Sequence, residues 1–179
     1  MHTGLKGQAI SLYKSAFDCD NSREAECFIE LFFDDILFLK GNNEITSQLF
    51  LIDAEYKDVK RTAKLKYIYA AATVAKHRRK GLMSKLISLA EDKAKREGYA
   101  GIYLYPADDD LRKYYKKLGF KDCFKTKNGS SSRIIPCKKF TDFCSAVLNS
   151  EKMQTDDLAM AIIFDDKIDR NAVITELGN

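Results

Sequence analysis

One stretch constrains this chain more than any other: "ATVAKHRRKGLMSKLISLAEDKAKREG", residues 72 to 98. A β-rich run, "LKYIYAAATV" (65–74), feeds a turn in which Arg78, Arg79 and Lys80 stand directly before Gly81. An amphipathic segment without Gly or Pro follows, with Leu82, Leu86, Leu89, Ala90 and Ala94 as its apolar stripe and Gly98 as its stop. Helix N-termini favour negative charge, so basic residues there cost a few tenths of a kcal/mol, up to roughly 1. The crowding makes sense if an anion, such as a phosphate-bearing ligand, sits among them.

The surrounding pattern extends this unit. "AGIYLYP" (100–106) reads as a short strand, and "DDDLRKYYKKLGF" as a helix with acids at its start, lysines near its end and Gly119 as its stop. The order strand, basic Gly turn, helix, strand predicts that the two strands lie parallel. Before it, residues 5–17 predict a helix with Leu5, Ala9, Leu12 and Ala16 on one face. Asp20, Asn21 and Ser22 supply turn and cap chemistry ahead of a second helix over 23–34. A hairpin is expected from strands 36–40 and 44–53 around Gly41-Asn42-Asn43, and a charged connection runs from Lys57 to Lys64. After it, 120–126 and 132–137 are expected to pair around Asn128-Gly129, with helices over 138–148 and 155–164.

A length of 179 residues fits one domain with a real core, and 45% hydrophobic with 31% charged residues is ordinary for a globular protein. The net charge of +4 permits anionic partners without demanding nucleic acid, since the only basic cluster is local, at 76–80. No apolar run approaches the ~20 residues that cross a bilayer, and the first twenty residues lack a signal-peptide core. Cys19, Cys27, Cys123, Cys137 and Cys144 form no C-x-x-C pair and read as thiols of a reducing compartment, with the cytoplasm expected. With only His2 and His77, a multi-histidine metal site is excluded and no metal is expected.

At Arg78-Arg79-Lys80-Gly81-Leu82-Met83 the sequence resembles the GNAT superfamily of acyl-CoA N-acyltransferases, whose motif there is Arg/Gln-x-x-Gly-x-Gly/Ala. "YYKKLGF" (114–120) resembles that family's aromatic–Tyr–x–x–x–Gly–Phe segment, and the likeness covers residues 65 to 124. Met83 stands where the family prefers a small residue, and Asp108 where many members carry Asn. The resemblance implies an α+β fold: a central, mostly antiparallel sheet with one parallel strand pair, flanked by helices. The expected division is an acetyltransferase domain over 1–137 and a helical extension over 138–179 packed on it.

The resemblance also implies a function. Acetyl-CoA is the expected co-substrate, with its diphosphate on the backbone N–H groups of Arg79, Lys80, Gly81, Leu82, Met83 and Ser84 and with charge from Arg78 and Lys80. The small residues before the turn, Ala72, Thr73 and Val74, would wall the pantetheine arm, with Asp108 as a polar contact to the cofactor. Tyr115 aligns with the tyrosine that serves the departing thiolate, while Tyr114 takes the plain aromatic position. An amine must be neutral to attack, and Asp53, Glu55 and Asp108 are the carboxylates weighed as its base; each also reads as a solvated charge.

The expected activity is N-acetyl transfer to a primary amine of a small molecule or protein, an acyl transfer of groups other than aminoacyl groups. The alternative is a non-catalytic acyl-CoA-binding regulatory module. The expected partners are acetyl-CoA and an amine acceptor, with neither nucleic acid nor membrane, in a monomer or homodimer.

Overall fold

The computed structural model describes residues 2–17, 22–126, 132–147, 158–168 and 173–176. They form helices α1 (His2–Phe17), α2 (Ser22–Phe32), α3 (Leu82–Arg96), α4 (Asp109–Lys117) and α5 (Lys138–Val147). The strands are β1 (Ile36–Gly41), β2 (Glu44–Lys57), β3 (Thr62–Thr73), β4 (Gly101–Leu104), β5 (Lys121–Thr126), β6 (Ser132–Pro136), β7 (Leu158–Ile163) and β8 (Val173–Glu176). The chain forms two compact units: Met1–Leu51 with Ile68–Ala90, and Ile52–Tyr67 with Glu91–Asn179. β2, β3 and α3 run through both.

In the first unit β1 and β2 form the expected hairpin, with Gly41 opposite Glu44. Asn42 and Asn43 both take positive φ (52° and 63°), the conformation a two-residue primed turn requires and Asn tolerates. Ala25, Phe28, Ile29 and Phe32 recur at helical spacing along α2 and are fully buried. Phe28 packs edge-on against Phe50 of β2 at 4.7 Å and tilted against Tyr69 of β3 at 5.1 Å. α1 adds Ala9, Leu12 and Tyr13 to this core. Gln48, fully buried on β2, donates to the Ala9 carbonyl at 3.1 Å.

In the second unit the parallel pair forms as expected, with Leu65, Lys66 and Tyr67 of β3 beside Gly101, Ile102 and Tyr103 of β4. The strand order continues β4-β7-β5-β8-β6, and β6 also pairs with residues 54–57 of β2. β7 is antiparallel to both β4 and β5. β8 adds two short parallel pairings, with β5 and β6.

Three expectations change. Residues 158–163 are strand β7, where a helix over 155–164 was expected; ladders on both sides claim the apolar run LAMAII. From 138 onward the chain therefore contributes a helix and two strands, not helices alone. β5 and β6 both form but do not pair, because β8 lies between them. The expected turn at Asn128-Gly129 lies outside the described residues, as do Asp20 and Asn21. On α3, Leu89 is 44% exposed while Ile87 is buried with Leu86, Ala90 and Ala94. Leu89 lies roughly 110° round the helix from the centre of that stripe, at 3.6 residues per turn.

Among the described residues no helix is long and apolar enough to cross a membrane, and no His, Cys, Asp and Glu cluster could hold a metal ion. None of the described cysteines, Cys27, Cys123, Cys137 and Cys144, is in a disulfide.

Candidate functional site

The motif residues of the first unit lie on one continuous path: the end of β3, a short turn at Ala75–His77, the basic turn, and the start of α3. Ala70 carries a positive φ of 48° inside β3, a left-handed conformation that costs a residue with a Cβ about 1–2 kcal/mol. At the strand end, Val74 N–H donates to the Thr46 carbonyl at 3.0 Å, and Arg78 Nε donates to the Thr73 carbonyl at 3.1 Å. Ser47, fully buried on β2, contacts the Ala72 carbonyl at 3.1 Å and Thr73 Oγ1 at 2.9 Å. Hydrogen bonds on both sides thus brace the strand end that carries the turn.

The turn is built for backbone donors. Arg79 and Gly81 both have positive φ, 61° and 74°, and residues 78 to 81 are exposed. The first bond of the α3 ladder runs from Lys85 N–H to the Gly81 carbonyl at 3.0 Å. The N–H groups of Leu82 and Met83 therefore precede the ladder, as helix geometry requires of first-turn donors. A Cβ built on Gly81 would meet no heavy atom within 4 Å beyond its chain neighbours, the Met83 side chain included. First-turn amides outside the ladder, next in sequence to exposed Arg79 and Lys80, are groups that suit an anion.

The second unit holds the other motif. Asp108 caps α4, its carboxylate accepting from Leu111 N–H at 2.7 Å, so this side chain already has a structural task. Tyr115 is 8% exposed, and its ring meets Tyr114 at 5.3 Å and Phe120 at 5.7 Å. Burial first, and then the charges of Tyr114 and Asp108, push its phenol up to about 12.

Two of the candidate bases, Asp53 and Glu55, line an open cleft of about 320 Å³ in the second unit, together with Lys64, Tyr99 and Cys137. Asp53 Oδ1 takes the Lys66 ammonium at 2.6 Å and the Tyr99 hydroxyl at 2.5 Å. Burial opposes its ionisation, but the hydrogen bonds from Lys66 and Tyr99 and the charges of Lys66 and Lys64 outweigh it, holding the carboxyl low. A carboxylate held low is a poor proton acceptor at neutral pH. Glu55 is exposed.

The family model for the acetyltransferase (GNAT) domain matches residues 6–123. The chain belongs to the GNAT acetyltransferase family. No curated protein sequence matches it. Among solved GNAT structures, an Escherichia coli N-acetyltransferase in complex with CoA superposes with a TM-score of 0.62 at 14% identity, covering 97% of this chain and 84% of that one. An aminoglycoside 6′-acetyltransferase type Ii gives 0.60 at 14% identity, with 93% and 94% covered. A GNAT protein from Anabaena variabilis gives 0.60 at 15% identity over 68% of this chain, and the match spans only 30% of that longer chain. These likenesses establish the GNAT fold.

Each expected site residue thus has a place. Ala72, Thr73, Val74 and Arg78 to Ser84 follow one another along the first unit, and in the second Tyr115 lies on α4, which Asp108 caps. The bracing groups, the Thr46 carbonyl and the Ser47 hydroxyl, were hidden in the sequence, because a backbone carbonyl and one strand hydroxyl carry no motif. The Asp53–Lys66–Tyr99 network was equally hidden, its members being 13 to 46 positions apart.

Proposed function

We propose that this chain transfers the acetyl group of acetyl-CoA to a primary amine, of a small molecule or a protein, by direct attack of the amine on the thioester. The single observation that carries this reading is the open turn at Gly81, where amides outside the α3 ladder meet exposed Arg79 and Lys80. In it the amides of residues 79–84 hold the diphosphate, Ala72, Thr73 and Val74 flank the pantetheine arm, and Asp108 sits as a polar group at the start of α4. The amine nitrogen bonds to the thioester carbon, the carbon–sulfur bond breaks, and the sulfur leaves with the electron pair.

Tyr115 then serves the sulfur as a hydrogen-bond donor. Proton transfer from a phenol raised to about 12 to a thiolate near 8.5 would be uphill by roughly 5 kcal/mol. A neutral phenol that keeps its proton stabilises developing negative charge without being consumed. Asp53, held low by Lys66 and Tyr99, is unsuited to deprotonating the incoming ammonium, so in this reading water carries that proton away.

The test is release of free thiol from acetyl-CoA in the presence of amines: polyamines, amino acids, aminoglycosides and peptide N-termini. Turnover with any class supports the reading. The second reading, a non-catalytic acyl-CoA-binding module, is favoured by the same raised Tyr115, which is tuned away from proton exchange at neutral pH. Tight CoA binding with no turnover on any amine would select it.

A further inference from the structure

We infer that Thr73 offers only lone pairs to whatever lies along the end of β3, and that buried Ser47 fixes this polarity. The deduction is a proton inventory. A serine hydroxyl has one proton, and Ser47 Oγ lies 3.1 Å from the Ala72 carbonyl, which can only accept. That bond takes the Ser47 proton. The 2.9 Å contact between Ser47 Oγ and Thr73 Oγ1 then needs its proton from Thr73. Thr73 Oγ1 keeps its lone pairs and has no proton left to give.

Two neighbouring backbone groups are already engaged. The Thr73 carbonyl accepts from Arg78 Nε at 3.1 Å, and Val74 N–H donates to the Thr46 carbonyl at 3.0 Å. Thr73 itself is only half-buried, whereas Ser47 is sealed from solvent. Thr73 Oγ1 therefore selects a ligand group bearing an N–H or O–H donor. For a CoA ester that group is an amide N–H of the pantetheine arm, and this assignment rests on the acetyl-CoA reading above. Thr73 is thereby a specificity-determining acceptor, and Ser47 the positioning residue behind it.

Calorimetric titration of the full chain tests this with four ligands: CoA, the two CoA analogues in which one or the other pantetheine amide is replaced by an ester, and adenosine 3′-phosphate 5′-diphosphate, which lacks the arm. Thr73→Val keeps the shape and removes the acceptor, and is expected to weaken CoA roughly three- to tenfold, the span of one ordinary hydrogen bond. One ester analogue should weaken binding to the unsubstituted protein by a similar factor and to Thr73→Val by none, the coupling that a double cycle isolates. Thr73→Ser should restore CoA binding. Ser47→Ala, which frees the Thr73 proton, should shrink the penalty of the ester analogue. The armless diphosphate should bind all variants equally, which checks that each still folds. Equal loss of CoA and of the armless ligand in Thr73→Val, or no coupling with either ester analogue, overturns the inference alone. Failure of the unsubstituted protein to bind either CoA or the armless diphosphate overturns the acetyl-CoA reading, and this inference falls with it.

Discussion

The ammonium of Lys66, a residue only 6% exposed, lies 2.6 Å from Asp53 Oδ1. It also stands 4.5 Å from the centre of the Tyr99 ring. A cation so sheltered depends on its counter-charge, and removing one partner costs more than removing both. Asp53→Asn is expected to destabilise the fold by about 1–3 kcal/mol, below the full cost for a buried pair because the Asp53 side chain is 55% exposed. Adding Lys66→Met should recover most of that loss. Urea unfolding of the two variants checks the order.

Acid should find the same pair. Burial opposes ionisation of Asp53, yet Lys66 and Tyr99 hold its carboxyl below the ordinary value of 3.8. The hydrogen bond from Lys116, against burial and with help from Arg112, does the same for Asp122. A lowered folded-state value gives stability that is fully present above pH 3.8 and is lost as the pH falls through the folded-state values beneath it. Thermal melts from pH 6 down to pH 2 should show the decline concentrated below about pH 4. In Asp53→Asn the decline should be shallower.

Asp108 separates capping from ligand contact. Asp108→Asn keeps a side-chain oxygen for Leu111 N–H, whereas Asp108→Ala removes it. Alanine is expected to cost about 1 kcal/mol of stability and asparagine a few tenths. If Asp108 also meets the cofactor through a polar contact, CoA affinity should survive in Asp108→Asn and fall in Asp108→Ala by more than the stability change explains. Paired melts and CoA titrations measure both.

Tyr115→Phe removes the hydroxyl and leaves the edge-on ring contacts with Tyr114 and Phe120 in place. Turnover is expected to fall by about 10²-fold, in the range set for a positioned donor, with CoA affinity within about twofold. Because burial drives the phenol to about 12, an alkaline loss of activity below pH 11 would belong to another group and should persist in the variant. A pH–rate profile of both proteins decides it.

Much of this architecture was legible because local chemistry and tertiary context agree. The Asn42-Asn43 turn supplies the positive φ its hairpin needs, and α3 runs between a basic Gly turn and Gly98, which has φ 76°. The basic turn ahead of α3 was legible for the same reason: unusual charge at a helix start is visible without coordinates. β7 was hidden because a six-residue apolar run shows no period that separates helix from strand, and only its neighbours β4 and β5 decide. The place of β8 between β5 and β6 depends on pairings some 40 to 50 residues apart, which sequence pattern does not encode. Ser47 matters through its proton, a matter of angles and partners across two strands.

The most direct measurement follows the backbone amides of residues 79 to 84 by NMR while the full chain is titrated with CoA. Saturable shifts of Gly81, Leu82 and Met83 N–H signals, lost or weakened at least tenfold in Gly81→Ala through strain at φ +74° and the added methyl, are the expected result. CoA that binds while these amides stay unmoved, or no binding at millimolar concentration, would contradict the account at its root.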